Sequence, residues 1–508
     1  VRFYLICVAL WLAPAVVEAQ ADGGGAVTAA ARRAARTITE RDVRQRIHLL
    51  AHDSMGGRWT PSRELDLTAA YIANEFRRLG LRPGGDGGSY VQRYPIRQEV
   101  IAPEESALEF TGTEGTIRIA VAADAAILAG RGTVEGEVLL VSGIPDAAQV
   151  PVNAYRGAVL VWVGDWSRGV NQLQVQRALN RLGAALVILP INNDSVLAVM
   201  QQVAARPQTV GGTGGSAPMR IAVRESALLA QLPQAADVFA ALRAAPSFTV
   251  TEAAGWRARA VVSRRVLQQD TAPNVVGILP GADPILREEY VVFSAHMDHV
   301  GRTGAGACIP AGADSLCNGA DDNASGTVGV LEVAEAFAQP GVRPSRSVIF
   351  LAVSGEERGL WGSDWFATHP PVPAERMVAN INADMIGRNW RDTIVVIGKE
   401  HSDLGATLAR VVARHAELGL TAIDDLWPEQ NFYQRSDHFN FARRGVPILF
   451  FFNGTHPDYH RPSDSPDKID AEKLARVAQL MFWVGLEVAN APQRPQWDPE
   501  SYRRYVTP

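Results

Sequence analysis

Five stretches of the sequence carry acidic and imidazole side chains of the kind that hold hard metal ions. They are His296 with Asp298, Asp321 with Asp322, Glu356 with Glu357, Asp384, and a loop with His456, Asp458 and His460. Imidazole and carboxylate donors suit zinc, and the lack of thiolates in the set argues against a closed structural zinc site. Two zinc ions about 3.5–4 Å apart can clamp an attacking hydroxide and the oxyanion that develops during hydrolysis. Neighbouring dications repel, so such a pair needs a bridging carboxylate and further anions around it. Adjacent residues at a strand end point to opposite sides. One of Glu356 and Glu357 can therefore ligate while its neighbour faces the attacking water as general base. Asp298 lies two residues after His296 and can orient that imidazole from behind.

Each group alone has an ordinary explanation. Asp-Asp before a helix is a common cap, and Glu-Glu is commonly a solvated pair. Four of the five, however, come directly after an apolar run: YVVFSA (290–295), SVIFLAV (347–353), MVANINA (377–383) and VPILFFF (446–452). Such runs read as buried strands of a parallel sheet. In open α/β sheets the ligand crevice lies beyond the carboxyl ends of the strands, so groups distant in sequence can converge there. The fifth stretch, NGADDNASG (318–326), is a turn leading into a predicted helix over 326–339, with Val330, Leu331, Ala334 and Phe337 on one side.

The ordered set SAHMDHVG, NGADDNASG, SGEERGLWGS, NADMIG and YHRPSDSPDKI resembles peptidase family M28, whose members are co-catalytic zinc peptidases. LAHDSMGGRWTPSRELDLTAAYIANEFRRLGL resembles that family's N-terminal helices, so the resemblance covers residues 38–100 and 258–490. It implies the zinc exopeptidase fold: α/β, with a mixed, largely parallel central sheet flanked by helices. It implies two Zn2+ per chain, one on His296, Asp322 and Asp384, the other on Asp322, Glu357 and His460, with Asp322 bridging. Glu356 would be the general acid/base and Asp298 the orienter of His296. Tyr433, in NFYQRSDHFNF (431–441), would donate a hydrogen bond to the oxyanion. A cis peptide is implied between Asp322 and Asn323.

The same resemblance prefers His460 to His456 and Glu357 to Glu356 as ligands. It leaves His299 without a metal, His438 as a pocket-wall residue and Asp321 as a turn residue. Trp361, Trp365 and Trp390 are expected in the core. The implied activity is hydrolysis of the N-terminal peptide bond of peptide substrates. A carboxypeptidase on the same fold is the alternative, with Arg358, Arg388 and Arg435 near motif residues to receive a carboxylate. A one-zinc glutaminyl cyclase-like enzyme is another, separable by metal content. Family M20 has a similar ligand order but inserts its extra domain between the third and last ligand groups; here the insertion precedes His296. A non-catalytic relative would have lost ligands, and none is lost.

The elements around these groups fall into blocks. TITERDVRQRIHLLAHDSMGGR starts on a threonine cap and places Val43, Ile47, Leu49 and Leu50 near one face of a helix. A second helix, LDLTAAYIANEFRRLGL, is stopped by Gly80 and Pro83. From 101 to 257 short β-rich runs take over, with one amphipathic helix at 170–184. GAVLVWVGDWSRGVNQLQVQRALNRLGAALVILPIN resembles the protease-associated (PA) domain, which implies an inserted β-rich domain over 101–257. Residues 491–508 read as a C-terminal tail.

With 508 residues, two or more domains are expected, and 47% hydrophobic against 20% charged residues is the composition of a soluble globular chain. A formal charge of −5 without a basic cluster gives no reason to expect nucleic acid. Residues 1–21 have one arginine, an apolar run and Ala19-Gln20-Ala21, the plan of a secretory signal too short to span a bilayer. That implies export, periplasmic or extracellular, with no stable membrane insertion after cleavage. Only three lysines among 49 basic residues is the usage of a G+C-rich bacterium. With Cys7 in the signal, Cys308 and Cys317 form an even pair, which favours a disulfide in an exported protein.

Overall fold

The computed structural model describes residues 28–506, apart from 113–114, 146–149, 152, 165–171, 214–217, 232–234, 246 and 305. The expected secretory segment lies outside the described residues. After a short helix over Ala29–Ala35, two longer helices are set by their caps. Thr39 accepts from Asp42 N at the start of α1 (Glu40–Leu50), and Ser62 accepts from Leu65 N at the start of α2 (Arg63–Arg78). Val43, Ile47 and Leu50 are buried, whereas Leu49 is 39% exposed. Leu49 sits only two positions after Ile47, about 200° around the helix at 3.6 residues per turn, and so leaves the apolar stripe. Gly80, at φ +72°, ends α2 in the left-handed conformation open to glycine.

Among the described residues, ten strands form the larger sheet. Its long path uses β1 (Val91–Ile101), β2 (Gln208–Gly211), β3 (Arg264–Leu279), β4 (Tyr290–His296), β5 (Ser347–Val353), β6 (Met377–Ala383), β7 (Thr393–Ile397), β8 (Thr421–Ile423) and β9 (Ile448–Phe451). The order across the sheet is β8-β7-β9-β6-β4-β5-β3-β1-β2, and Arg82–Pro83 adds a two-residue strand against β3. The four centre strands β9, β6, β4 and β5 are mutually parallel. β3 and β1 continue antiparallel on one side, and β7 joins β9 antiparallel on the other. β9 starts at Ile448 because Pro447 has no N–H to give to the ladder.

The centre strands are buried on both faces, which is why they lack polar alternation. Phe293 of β4 belongs to the core under α3 (Gly326–Phe337) and α4 (Ala471–Asn490), while Val292 belongs to the core on the opposite face. Phe293 and Phe337 lie 5.7 Å apart, and Phe337 and Phe482 4.9 Å. α3 is buried almost all round, a central helix rather than a surface one.

The described residues of 107–262 build a second, eight-stranded sheet with its own apolar core. Val159–Trp162, Leu186–Ile191 and Met219–Arg224 run parallel in it, and the helix expected at 170–184 is observed over Gln172–Arg181. One strand of this interval, β2, leaves the second sheet and pairs with β1 at the edge of the first. The 491–508 tail carries a helix, Pro499–Tyr505, that docks on the larger lobe with Tyr505 buried. Cys308 and Cys317 are joined by a disulfide. No helix among the described residues is long and apolar enough to cross a membrane.

Candidate metal centre

Four parallel strands deliver their carboxyl ends to one edge of the sheet. His296 is the last residue of β4; Glu356 and Glu357 come after β5; Asp384 comes after β6; His456 to His460 lie in the loop after β9. Asp322 comes from the turn ahead of α3, and its peptide to Asn323 is cis. Asn323 ties that turn to β6, donating to the Ala383 carbonyl at 3.0 Å and accepting from Met385 N at 3.3 Å.

The five expected ligands meet. His296 Nε2 lies 3.3 Å from Asp384 Oδ1 and 3.5 Å from Asp322 Oδ1. His460 Nε2 lies 3.1 Å from Asp322 Oδ2 and 3.2 Å from Glu357 Oε2. Asp322 thus offers one oxygen to each imidazole. Yet His296 Nε2, His460 Nε2 and Asp384 Oδ1 are buried and make no hydrogen bond. Buried polar atoms without partners are rare and call for an explanation. Converging donors that fail to hydrogen-bond one another fit a cation placed between them. Glu356 also comes within reach of His296 and Asp384, and His299 within reach of Asp322 and Glu357.

Electrostatics agree. Burial opposes the His296 imidazolium, but Asp384 and Glu356 outweigh it and hold its pKa well above the ordinary value. Burial likewise opposes His460, which Asp322 and Glu357 carry up to about 10. The centre stabilises positive charge at both imidazoles. Burial, together with the nearby Glu357, pushes the Glu356 carboxyl well above the carboxylate range, against the pull of His296.

A layer of neighbours fixes these groups, much of it invisible in the sequence. Asp298, expected to orient His296, meets it through its backbone: its carbonyl lies 3.2 Å from His296 Nδ1, the carboxylate 3.6 Å. The carboxylate accepts instead from Thr60 Oγ1 at 2.9 Å and Glu356 N at 3.3 Å, so it also anchors the backbone at Glu356. Arg58 is 1% exposed and donates to the carbonyls of Leu50, Met297, Asn318 and Gly319, tying three site loops together. Ser436 Oγ donates to Asp384 Oδ2 at 2.9 Å. Asp464 accepts from the backbone of Asp321 and Asp322 at 3.1 Å; burial, then Asp321, raises its pKa to about 7. Nothing local to Arg58, Thr60 or Asp464 marks them, because each acts on backbone brought near by the fold.

The neighbours set aside as ligands have other duties. His299 Nδ1 hydrogen-bonds Glu357 Oε1 at 3.0 Å. His456 Nε2 faces Asp321 Oδ2 at 3.2 Å. Asp321 Oδ1 also accepts from Gly387 N at 2.7 Å. His438 stacks on Phe450, its pKa lowered by burial to about 3. Trp361 is buried, but Trp390 is 45% exposed and stacks on Trp427, so it is not a core residue.

Tyr433 is not brought to the centre. Its ring packs on His401 at 4.6 Å and Tyr505 at 4.5 Å, and its hydroxyl is buried without a partner. The 3-10 turn Phe432–Gln434 sends Phe432 toward the centre and Tyr433 away from it. Tyr459 is the tyrosine that lines the cavity with Asp322, Glu356 and Asp384, stacked on His460 with ring centroids 3.8 Å apart. Burial, then Asp322 and Glu357, pushes its phenol pKa up, keeping it a donor. Its position next to His460 was the signal available in the sequence. The same cavity is lined by Met385, Phe432, Arg435, Phe450 and Phe452. Of the three arginines near the motifs, only Arg435 lines it; Arg358 lies over the rings of Trp59 and Trp361, and Arg388 pairs with Asp458.

Comparison with known proteins places this arrangement. The model of peptidase family M28 matches residues 274–484. A probable leucine aminopeptidase of Arthroderma otae is 27% identical over 43% of this chain and 58% of its own length. An aminopeptidase of Bacillus subtilis is 26% identical over 48% of this chain and 51% of its own. The chain thus spans little more than half the length of these relatives. The solved aminopeptidase from Aneurinibacillus sp. strain AM-1 superposes with a TM-score of 0.46 at 18% identity, covering 91% of this chain and 96% of that one. All five candidate ligands and Glu356 fall inside residues 274–484, the segment that the model of peptidase family M28 matches.

Proposed function

We propose that the protein is an exported aminopeptidase that uses two zinc ions to hydrolyse the N-terminal peptide bond of peptides. The observation that carries the proposal is the set of buried, unpartnered atoms His296 Nε2, Asp384 Oδ1 and His460 Nε2, which converge from beyond the ends of three parallel strands, β4, β6 and β9. His296, Asp322 and Asp384 would hold one ion, and Asp322, Glu357 and His460 the other. Bound there, the pair supplies Lewis acidity to the scissile carbonyl and acidifies the attacking water. Glu356 would take the proton from that water and pass it to the leaving amine. Its buried carboxyl, with a raised pKa, is suited to both tasks. Tyr459, in place of Tyr433, is read as the hydroxyl that donates to the carbonyl oxygen as charge develops. Asp298, Thr60 and Ser436 hold ligand and base in place.

Met385, Phe432, Phe450 and Phe452 favour an apolar first side chain, and the carboxylates beside them favour a free α-amine. Arg435 in the same cavity supports a second reading, carboxypeptidase action, in which it receives the terminal carboxylate. Residues 1–21 are read as the export signal and the second sheet as an inserted PA-like domain. Metal analysis and parallel assays on free and N-blocked peptides test the proposal. Two zinc per chain with cleavage of free peptides is expected. One zinc would favour the cyclase-like reading, and cleavage of blocked peptides alone would favour the carboxypeptidase.

A further inference from the structure

Between the edge strand β2 and the metal centre runs a column of four stacked residues. At its foot is Gly211, the last residue of β2. A Cβ built there would run into the Trp361 indole, 2.9 Å from Cγ and closer still to the six-membered ring. The Arg358 guanidinium lies 4.6 Å from the Trp361 ring, and Trp59 lies at the same distance from that guanidinium. Arg358 also donates to the Thr60 carbonyl at 3.0 Å. Its planar cation is thus directed at two indoles and a carbonyl, the arrangement in which Arg–aromatic attraction is strongest when partly desolvated.

The column brackets Glu356 and Glu357 in the chain. On their N-terminal side, Gly355 N donates to Thr60 Oγ1 at 3.1 Å, and the same hydroxyl donates to Asp298. On their C-terminal side stands Arg358 and then Trp361, whose N–H returns to the Gly355 carbonyl at 3.0 Å. Trp361 is 7% exposed, so its ring position depends on what lies beneath it, and that is the backbone of β2. β2 is itself fixed on the larger sheet by pairing with β1, and Thr213 just beyond it hydrogen-bonds Asp364 of the helix that Trp361 begins.

We propose that β2, supplied by the stretch that builds the second sheet, is the base plate that positions the Glu356–Glu357 pair through the column Gly211–Trp361–Arg358–Trp59. Gly211 and Trp361 are positioning residues, and the stretch that supplies β2 is part of the reaction's geometry. The inference rests on the aminopeptidase reading. A displacement of about 1 Å at a reacting group is enough to cost on the order of a hundredfold in rate.

The test uses the zinc-loaded, full-length enzyme on an aminoacyl-anilide, with Gly211→Ala, Trp361→Phe and the double variant. For Gly211→Ala, kcat is expected to fall tenfold or more, with KM within twofold and zinc content unchanged. The smaller ring of Trp361→Phe gives the new methyl room, so the double variant is expected to lose no more than the worse single variant. The metal-free proteins carry the same cycle without turnover: their melting temperatures are expected to be non-additive in the same sense. If Gly211→Ala fails to accumulate, Trp361→Phe, which shortens the column without a collision, is expected to give the same split between kcat and KM. A lower melting temperature with kcat per zinc-loaded site unchanged in either variant would make the column mere packing and overturn the inference. A wild type that turns over no aminoacyl substrate would overturn the aminopeptidase reading and this inference together.

Discussion

Replacing Glu356 by glutamine isolates the proton-transfer step. Gln is nearly isosteric with Glu, and the backbone bonds that seat the residue, Glu356 N to Asp298 Oδ1 and the Glu356 carbonyl to Gly359 N and Leu360 N, are unaffected. The side chain is half-buried beside His296 and Asp384, and its amide enters the same space without opening a cavity. The change removes the basic oxygen. A positioned general base contributes about 10²–10⁴-fold in rate, equivalent to ~3–5 kcal/mol of barrier. Steady-state hydrolysis of an aminoacyl-anilide is expected to show kcat down by that factor, with KM changed little, because ground-state binding does not use the proton. Elemental analysis of the same sample is expected to find the wild-type zinc content, since Asp322, not Glu356, is assigned as the third ligand of the His296–Asp384 site. Retention of more than a tenth of wild-type turnover would refute Glu356 as base. Loss of one zinc would show instead that Glu356 ligates, as its closeness to His296 and Asp384 also allows.

The two tyrosines separate cleanly. Tyr459→Phe is expected to lower kcat roughly 10²–10³-fold with zinc retained, as for loss of one oxyanion donor, while Tyr433→Phe leaves kcat within twofold because its hydroxyl has no partner and lies away from the centre. Prolonged chelation is expected to abolish turnover and lower the melting temperature, with zinc restoring both, since metal bound only to the folded state stabilises it by mass action; melting unaffected by chelation would count against a resident metal. Lys473 is buried, and burial lowers its pKa from 10.5 to about 8. Above pH 8 the folded protein holds fewer protons than the unfolded chain, so this residue's penalty fades as pH rises toward 10.5, by up to about 3 kcal/mol. Denaturant titrations of wild type and Lys473→Met across pH 7–10 are expected to show the wild type gaining on the variant; parallel curves would refute it.

The residues that meet at the candidate centre were legible in the sequence because they fall just past the ends of apolar runs. Four apolar runs too uniform for a surface strand had to be centre strands, and the residues just past the end of each centre strand must sit at one edge of the sheet. That reasoning reached His296, Glu357, Asp384 and His460 without a structure, and family likeness ranked each above its neighbour. It failed where a residue acts through a backbone that only the fold brings near. Arg58 holds three loops by carbonyls distant in sequence, and Asp464 reaches the turn before α3 from the far side of the centre. It failed also where one residue's shift along a turn reverses a side chain: Tyr433 and Phe432 are neighbours, yet one faces the core and the other the cavity. Composition marked 101–257 as a different kind of chain, but pairing between β2 and β1 is a long-range choice with no local signature. The sequence by itself determined which residue types line the sheet edge; tertiary structure decided which of them touch, because contact depends on strand order and turn direction, and neither is written in the periodicity of any single segment.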